Sequence, residues 1–276
     1  MGSRIAHRLS EAGHDLVVWN RSPEKAAGLI AVNSPAEAAQ QADAVFLMVS
    51  DPQALREVTE GPEGVLAGAT PGTTLIQMST VGPSDVARLA SSLPQEVELL
   101  DAPVLGSLSE AEAGTLKVFA GGSDDLVEKC TPVLASLGPV LHVGPVGAGS
   151  AAKLVANSTL LGVLGVLGEA LALAEELGLS RETTFEVLST TPVAAQAERR
   201  REPFESGEYP LRFALELALK DANLVSAAAE GMDLKVARAA RQWFAEAAEA
   251  GAGEDDYSSI LAYIASLPVT RSGGGG

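Results

Sequence analysis

Lys153 and Asn157 stand four residues apart in "GAGSAAKLVANS", a spacing that puts both side chains on one face of a helix. An amine beside a carboxamide suits carbonyl chemistry. The ammonium can give a proton to a carbonyl oxygen as hydride reaches the carbon, and the free amine can reclaim it in the reverse direction. Partial burial would lower the pKa of such an amine toward the working range. A lone lysine on an amphipathic helix more often snorkels to water, so the surroundings decide. Two other stretches carry polar residues where chemistry could occur. Asn20-Arg21-Ser22 follows the apolar run "HDLVVWN", and Lys220 sits in "LKDANL", four residues after Glu216.

Composition narrows the field. The net charge of −17 repels phosphate backbones and anionic lipid, which argues against nucleic-acid or membrane partners. A single cysteine, Cys130, rules out an internal disulfide and fits a reducing, cytoplasmic setting. His7, His14 and His142 are scattered without paired ligand spacing, so no metal site is expected. The first residues carry charges spread through them and lack the apolar core of a signal peptide. The longest apolar run, "LLGVLGVLGEALALAEELGL", is broken by Glu169, Glu175 and Glu176, and reads as a buried helix.

The elements that must hold these residues fall into two halves. Apolar strand-like runs ("HDLVVWN", "DAVFLMVS", "TTLIQMST", "VELLDAPVLG", "GTLKVFAGG", "PVLHVG") alternate with helical segments. That alternation predicts a parallel, doubly wound α/β sheet. Helices are expected from near Ser22, over "DPQALREVTE" with Pro52 in its first turn, over "GPSDVARLASSL", and over "SDDLVEKCTPVLASLG". After Gly147 strands cease. One helix of about eight turns, roughly 40 Å long, is followed by four or five more, one of them capped by Ser180. The division is therefore an α/β half over residues 1–147, an all-helical half over 148–270, and a disordered "RSGGGG" tail at 271–276.

The first helix precedes the first strand, an unusual order for a dinucleotide-binding βαβ unit. "MGSRIAHRLSEAGHDLVVWNRS" fits the part of such a unit from its third glycine, Gly2, through its second strand. Taken with "MST", "DAPVLGSLSEAEAGTLKVFAGG", "GAGSAAKLVANS" and "LKDANL", all in order, the chain resembles the β-hydroxyacid dehydrogenase family. That family includes 3-hydroxyisobutyrate dehydrogenase and glyoxylate/succinic semialdehyde reductase. The resemblance implies an N-terminal Rossmann-type α/β domain followed by an all-α domain. Relative to the family, the first strand and its two glycines are missing. That absence predicts two unpaired strand edges, lower stability and weak cofactor binding.

The resemblance places Met1 and Gly2 at the pyrophosphate. It places Val49, Ser50, Asp51, Ser79 and Thr80 at the carboxyl ends of strands, where ligands of such sheets bind. Turn and helix-capping duty is the competing role for Ser50 and Asp51. Lys220 would reach the cofactor from the helical half, against an ion pair with Glu216 as its bland alternative. At the end of the second strand no acid is available for a ribose 2′-hydroxyl. Arg21 can pair with a 2′-phosphate while Asn20 and Ser22 donate hydrogen bonds, which favours NADP over NAD. The family assigns the catalytic role to Lys153, with Asn157 orienting it or the substrate carboxylate. Leu105 stands where the family has a carboxylate-binding serine, which leaves Gly106 for close backbone approach and Ser107 as a substitute donor.

The expected activity is therefore interconversion of a small hydroxyacid and its aldehyde or keto acid. An imine reductase, or a dinucleotide-binding protein without activity, is the alternative. A homodimer or homotetramer through the helical half is implied as well.

Overall fold

The computed structural model describes residues 1–267, so the tail expected at 271–276 lies outside the described residues. Contacts divide the chain into two compact units, Met1–Ala156 and one beginning at Asn157. The division falls inside a long helix, nine residues later than the break read from sequence grammar.

The first unit runs α1 (Gly2–Glu11), β1 (Val17–Val18), a single 3-10 turn (Pro23–Ala26), β2 (Ile30–Ala31), α2 (Pro35–Gln40), β3 (Ala44–Leu47), α3 (Pro52–Thr59) and α4 (Val65–Gly68). It continues with β4 (Thr74–Gln77), α5 (Pro83–Ser91), β5 (Glu98–Asp101), β6 (Val104–Leu105), α6 (Leu108–Ala113), β7 (Lys117–Gly121), α7 (Asp124–Leu134) and β8 (Val140–Gly144). Helix starts follow local chemistry. Ser34, Asp51 and Ser123 cap α2, α3 and α7 through their side-chain oxygens, and proline takes a first-turn position in α2, α3 and α5, where its missing N–H costs nothing.

β4 is buried along its whole length, and its residues alternate between two cores. Ile76 packs with Ile5, Leu9, Leu100, Val118 and Leu134, while Leu75 packs with Leu47, Leu55, Val86, Leu89 and Leu99. A period of two along a strand covered by helices on both faces produces this division. Each fully buried leucine in those layers stabilises by about 1.5–3 kcal/mol.

The sheet departs from the all-parallel expectation. β3, β4 and β5 are parallel, but β7 runs antiparallel to both β5 and β6, and β8 is parallel to β7. The run "VELLDAPVLG" is two strands, because Pro103 brings no N–H to a ladder. β1 pairs with β2 in a separate two-stranded sheet, and among the described residues no ladder joins β1 to β3. The helix expected from Ser22 is a single 3-10 turn, and α6 was not expected at all.

α8 (Ala148–Glu176) is the one long helix expected. It meets the length and composition of a membrane span, with half of its most apolar window buried within the fold. The second unit comprises the rest of α8 with α9 (Arg181–Ser189), α10 (Ala194–Ser206), α11 (Leu215–Ala228), α12 (Lys235–Ala247) and α13 (Ile260–Ala265). Ser180 caps α9 by accepting from the Thr183 N–H at 3.1 Å. Leu161, Leu164, Leu167 and Leu171 of α8 share a core with Phe185, Leu188, Phe244 and Ile260. Gly168 lets α13 approach, since a Cβ there would lie 2.7 Å from the Ile264 side chain.

Candidate active site

α1 begins at Gly2, and no side chain caps it. Its first N–H groups are therefore the kind of donors that receive phosphate at a helix N-terminus. The positive charges of Arg4 and Lys25 lie near Met1. The same charges favour an anion. Asn20 turns the chain after β1 by accepting from the Ser22 N–H at 2.9 Å. Arg21 is exposed, in reach of water and of any phosphate brought to that turn. The donors gathered at α1 and after β1 fit the phosphates of a dinucleotide.

At the carboxyl ends of β3 and β4 the polar residues divide by duty. Ser79 is fully buried. Its hydroxyl accepts from the Val49 N–H at 2.9 Å and donates to the Leu47 carbonyl at 3.2 Å, tying the two strand ends together. Gln77 completes this brace by accepting from the Ser79 N–H and donating to its carbonyl. Asp51 caps α3 through the Ala54 N–H at 2.8 Å and accepts from the Ser50 hydroxyl at 2.6 Å. The capping alternative weighed for Ser50 and Asp51 thus describes their contacts in this structure. Thr80, next along, is half-buried.

Leu105 is half-buried on β6, in register with Lys117. Gly106 has φ of +141°, and a Cβ there would lie 2.6 Å from the Leu116 side chain, so only glycine fits. Ser107 donates twice to Glu110 Oε2, from its N–H at 2.8 Å and its hydroxyl at 2.6 Å. These bonds, led by the hydroxyl, pull the Glu110 carboxyl down from 4.5 to about 2. The single hydroxyl hydrogen of Ser107 is spent on that capping box, so donation to a substrate would require breaking it.

Lys153 lies in the second turn of α8 and is 8% exposed. The N-terminal turn of that helix is anchored by Asp101 at the end of β5. Asp101 Oδ2 accepts from the Ser150 N–H and Oδ1 from the Ser150 hydroxyl, both at 2.7 Å. Burial pushes the Asp101 carboxyl upward, with the bonds from Ser150, Gln77 and Gly147 opposing.

In the second unit, Asn157 is buried, and its amide donates to Asp221 Oδ2 at 2.8 Å. Lys220 Nζ lies 2.7 Å from Asp221 Oδ1. Asn157 keeps a second N–H and its amide oxygen beyond that bond.

Two buried acids, Asp101 and Asp221, carry these arrangements and were given no role from sequence. Asp221 had a legible signal. It falls on the buried stripe of α11 with Leu215, Ala218 and Val225, where a carboxylate needs a partner. Asp101 opens the "DAPVLG" stretch quoted above, but its duty was not legible, because its partner lies 49 residues away. Among the described residues no three His, Cys, Asp or Glu side chains gather as a metal site.

Comparison with known proteins identifies the family. Residues 1–144 match the NAD-binding domain of 6-phosphogluconate dehydrogenase. Residues 147–264 match the NAD-binding domain of NADP-dependent 3-hydroxyisobutyrate dehydrogenase. The chain is 34% identical over 273 residues to 2-(hydroxymethyl)glutarate dehydrogenase of Eubacterium barkeri, covering 95% of this chain and 90% of that protein. It is 30% identical over 271 residues to chloroplastic glyoxylate/succinic semialdehyde reductase 2 of Arabidopsis thaliana, covering 95% and 76%. Among solved structures, 3-hydroxyisobutyrate dehydrogenase of Mycobacterium tuberculosis with L-serine superposes with a TM-score of 0.85 at 28% identity, covering 96% and 95%. The matches span both halves of the chain and every motif quoted above, and on them the chain belongs to the β-hydroxyacid dehydrogenase family of NAD(P)-dependent oxidoreductases.

Proposed function

We propose that this chain is an NADP-dependent oxidoreductase interconverting a small hydroxyacid with its aldehyde or keto acid, with Lys153 as the acid/base. The observation that carries the reading is a lysine nine-tenths buried near the head of α8, in a family of hydroxyacid dehydrogenases. A surface lysine would not be held there. When bound, the nicotinamide exchanges hydride with the substrate carbon. The Lys153 ammonium gives its proton to the carbonyl oxygen during reduction, and the free amine accepts the hydroxyl proton during oxidation. Asn157, fixed by Asp221, uses its remaining amide groups to orient the substrate or the amine.

Residues 1–147 serve the cofactor and 148–270 serve substrate and self-association, as a homodimer or homotetramer of a cytoplasmic enzyme. Met1 and Gly2 take the pyrophosphate at the uncapped start of α1. Asn20, Arg21 and Ser22 take the 2′-phosphate. Val49, Ser50, Asp51 and Thr80 border the ribose and nicotinamide, with Ser79 holding the strand ends that present them. Lys220 adds a positive charge toward the cofactor. Leu105, Gly106 and Ser107 form the substrate edge. The apolar Leu105 and the ionised Glu110 beside Ser107 favour a substrate with a weak demand for carboxylate binding there.

The test is a panel of glyoxylate, succinic semialdehyde and 3-hydroxyacids with NADPH and NADH, run on wild type and Lys153→Ala. Turnover of at least one member, faster with NADPH and lost in the variant, supports the reading. Turnover undiminished in the variant removes Lys153 from the chemistry.

A further inference from the structure

We propose that Asp101 is the positioning residue for Lys153, its buried carboxylate fixing the first turn of α8 and with it the placement of the amine. The inference rests on the reading of Lys153 as acid/base given above.

Asp101 has no exposed surface. A carboxylate in such a place is strongly destabilising unless hydrogen-bonded throughout, and both of its oxygens are engaged. The donors are the N–H and hydroxyl of Ser150, at 2.7 Å each, and the Gln77 side chain and Gly147 backbone also favour the charged carboxylate. Gly147 and Ser150 belong to the opening of α8, where N–H groups have no partner within the helix. The cap thus comes from the end of β5, 49 residues earlier in the chain. Negative charge at that end also complements the helix dipole.

A second feature fixes the same turn. A Cβ at Gly149 would lie 2.2 Å from the Asp101 carbonyl oxygen and 2.5 Å from that of Phe119. The helix therefore begins flush against the end of β5 and the backbone of β7, with no clearance. Gln77, in register with Asp101 on the neighbouring strand, braces Ser79 just beyond the end of β4. Buried polar groups thus line the ends of β4 and β5 and the turn preceding the amine. Lys153 follows Ser150 by three residues, about 4.5 Å along the helix axis. A small shift in the first turn is transmitted to the amine with little loss, and misplacement of about 1 Å can cost about a hundredfold in rate.

The experiment compares wild type, Asp101→Asn, Ser150→Ala, Ser150→Thr and Lys153→Ala, with NADPH and the best substrate of the panel. Asp101→Asn is expected to lower kcat about 10- to 100-fold while the KM for NADPH stays within about twofold. Backbone amides of residues 148–156 should also exchange with deuterium faster in that variant. Ser150→Ala should show a smaller loss of the same kind and carries the test should Asp101→Asn fail to fold. Ser150→Thr, which keeps the hydroxyl, should restore turnover. An inactive Lys153→Ala beside an Asp101→Asn enzyme of undiminished kcat overturns the positioning role alone. Undiminished turnover in Lys153→Ala overturns the reading on which it rests.

Discussion

In the proposed function, Arg21 is the residue that decides between NADP and NAD. It is exposed, on a turn held by Asn20 and Ser22, and no acid stands at the end of β1 to bind a 2′-hydroxyl. A charge-assisted hydrogen bond contributes about 1.5–3 kcal/mol, so Arg21→Ala should raise the KM for NADPH about 10- to 100-fold while leaving that for NADH within about twofold. Steady-state kinetics with both cofactors decides it, and parallel changes would remove Arg21 from discrimination. Other single residues were legible in kind but not in duty. The sequence placed Ser79 and Asp51 at strand ends, as found. Whether a hydroxyl at such an end faces a ligand or ties two strands depends on burial, which composition does not encode. Ser79 ties strands and Asp51 caps a helix.

At the scale of elements, the loop between β6 and α6 makes a pH-dependent contribution. The Glu110 carboxyl is lowered from 4.5 to about 2 by its bonds from Ser107 and Ser109. A depressed carboxyl stabilises the fold above its unfolded pKa and loses that contribution as pH falls through the folded value. Wild type should therefore melt above Glu110→Gln at pH 7, with the gap in Tm closing as pH falls from about 4.5 toward about 2. A gap that is constant across that range would contradict the assignment. The head of α8 supplies a second case. Gly149→Ala would drive a methyl group into two backbone carbonyls and should destabilise by about 1–3 kcal/mol, measured by denaturant unfolding.

α8 itself was legible because twenty-nine residues without proline and rich in Leu, Ala and Val admit little else. β4 and α5 were legible for similar local reasons. The direction of β7 was not. Strand polarity is set by how the chain returns, here through the short α6, and the apolar run "KVFAG" reads the same in either direction.

For the whole molecule, the change of grammar near Gly147 marked two halves, and the contacts also give two compact units, divided at Ala156 and Asn157. The offset has a physical origin. The first turns of α8 are bound to the sheet by Asp101 and Gly149, so a helix that is one element by sequence begins as part of the α/β unit. The pairing of β1 with β2 in a sheet of their own is a second departure from a single doubly wound sheet. The proposed homodimer or homotetramer would give a mass by light scattering of two or four times the 28.2 kDa chain. A monomer at micromolar concentration would contradict it.

The central claim is that a buried amine at the head of α8 moves the proton. Its most direct test is kcat of Lys153→Ala under saturating NADPH, with and without an added small primary amine. The account predicts a loss of about 10²- to 10⁴-fold, an unchanged affinity for NADPH, and partial recovery as the free amine enters the space left by the side chain. A variant that turns over as fast as wild type without any added amine would contradict it.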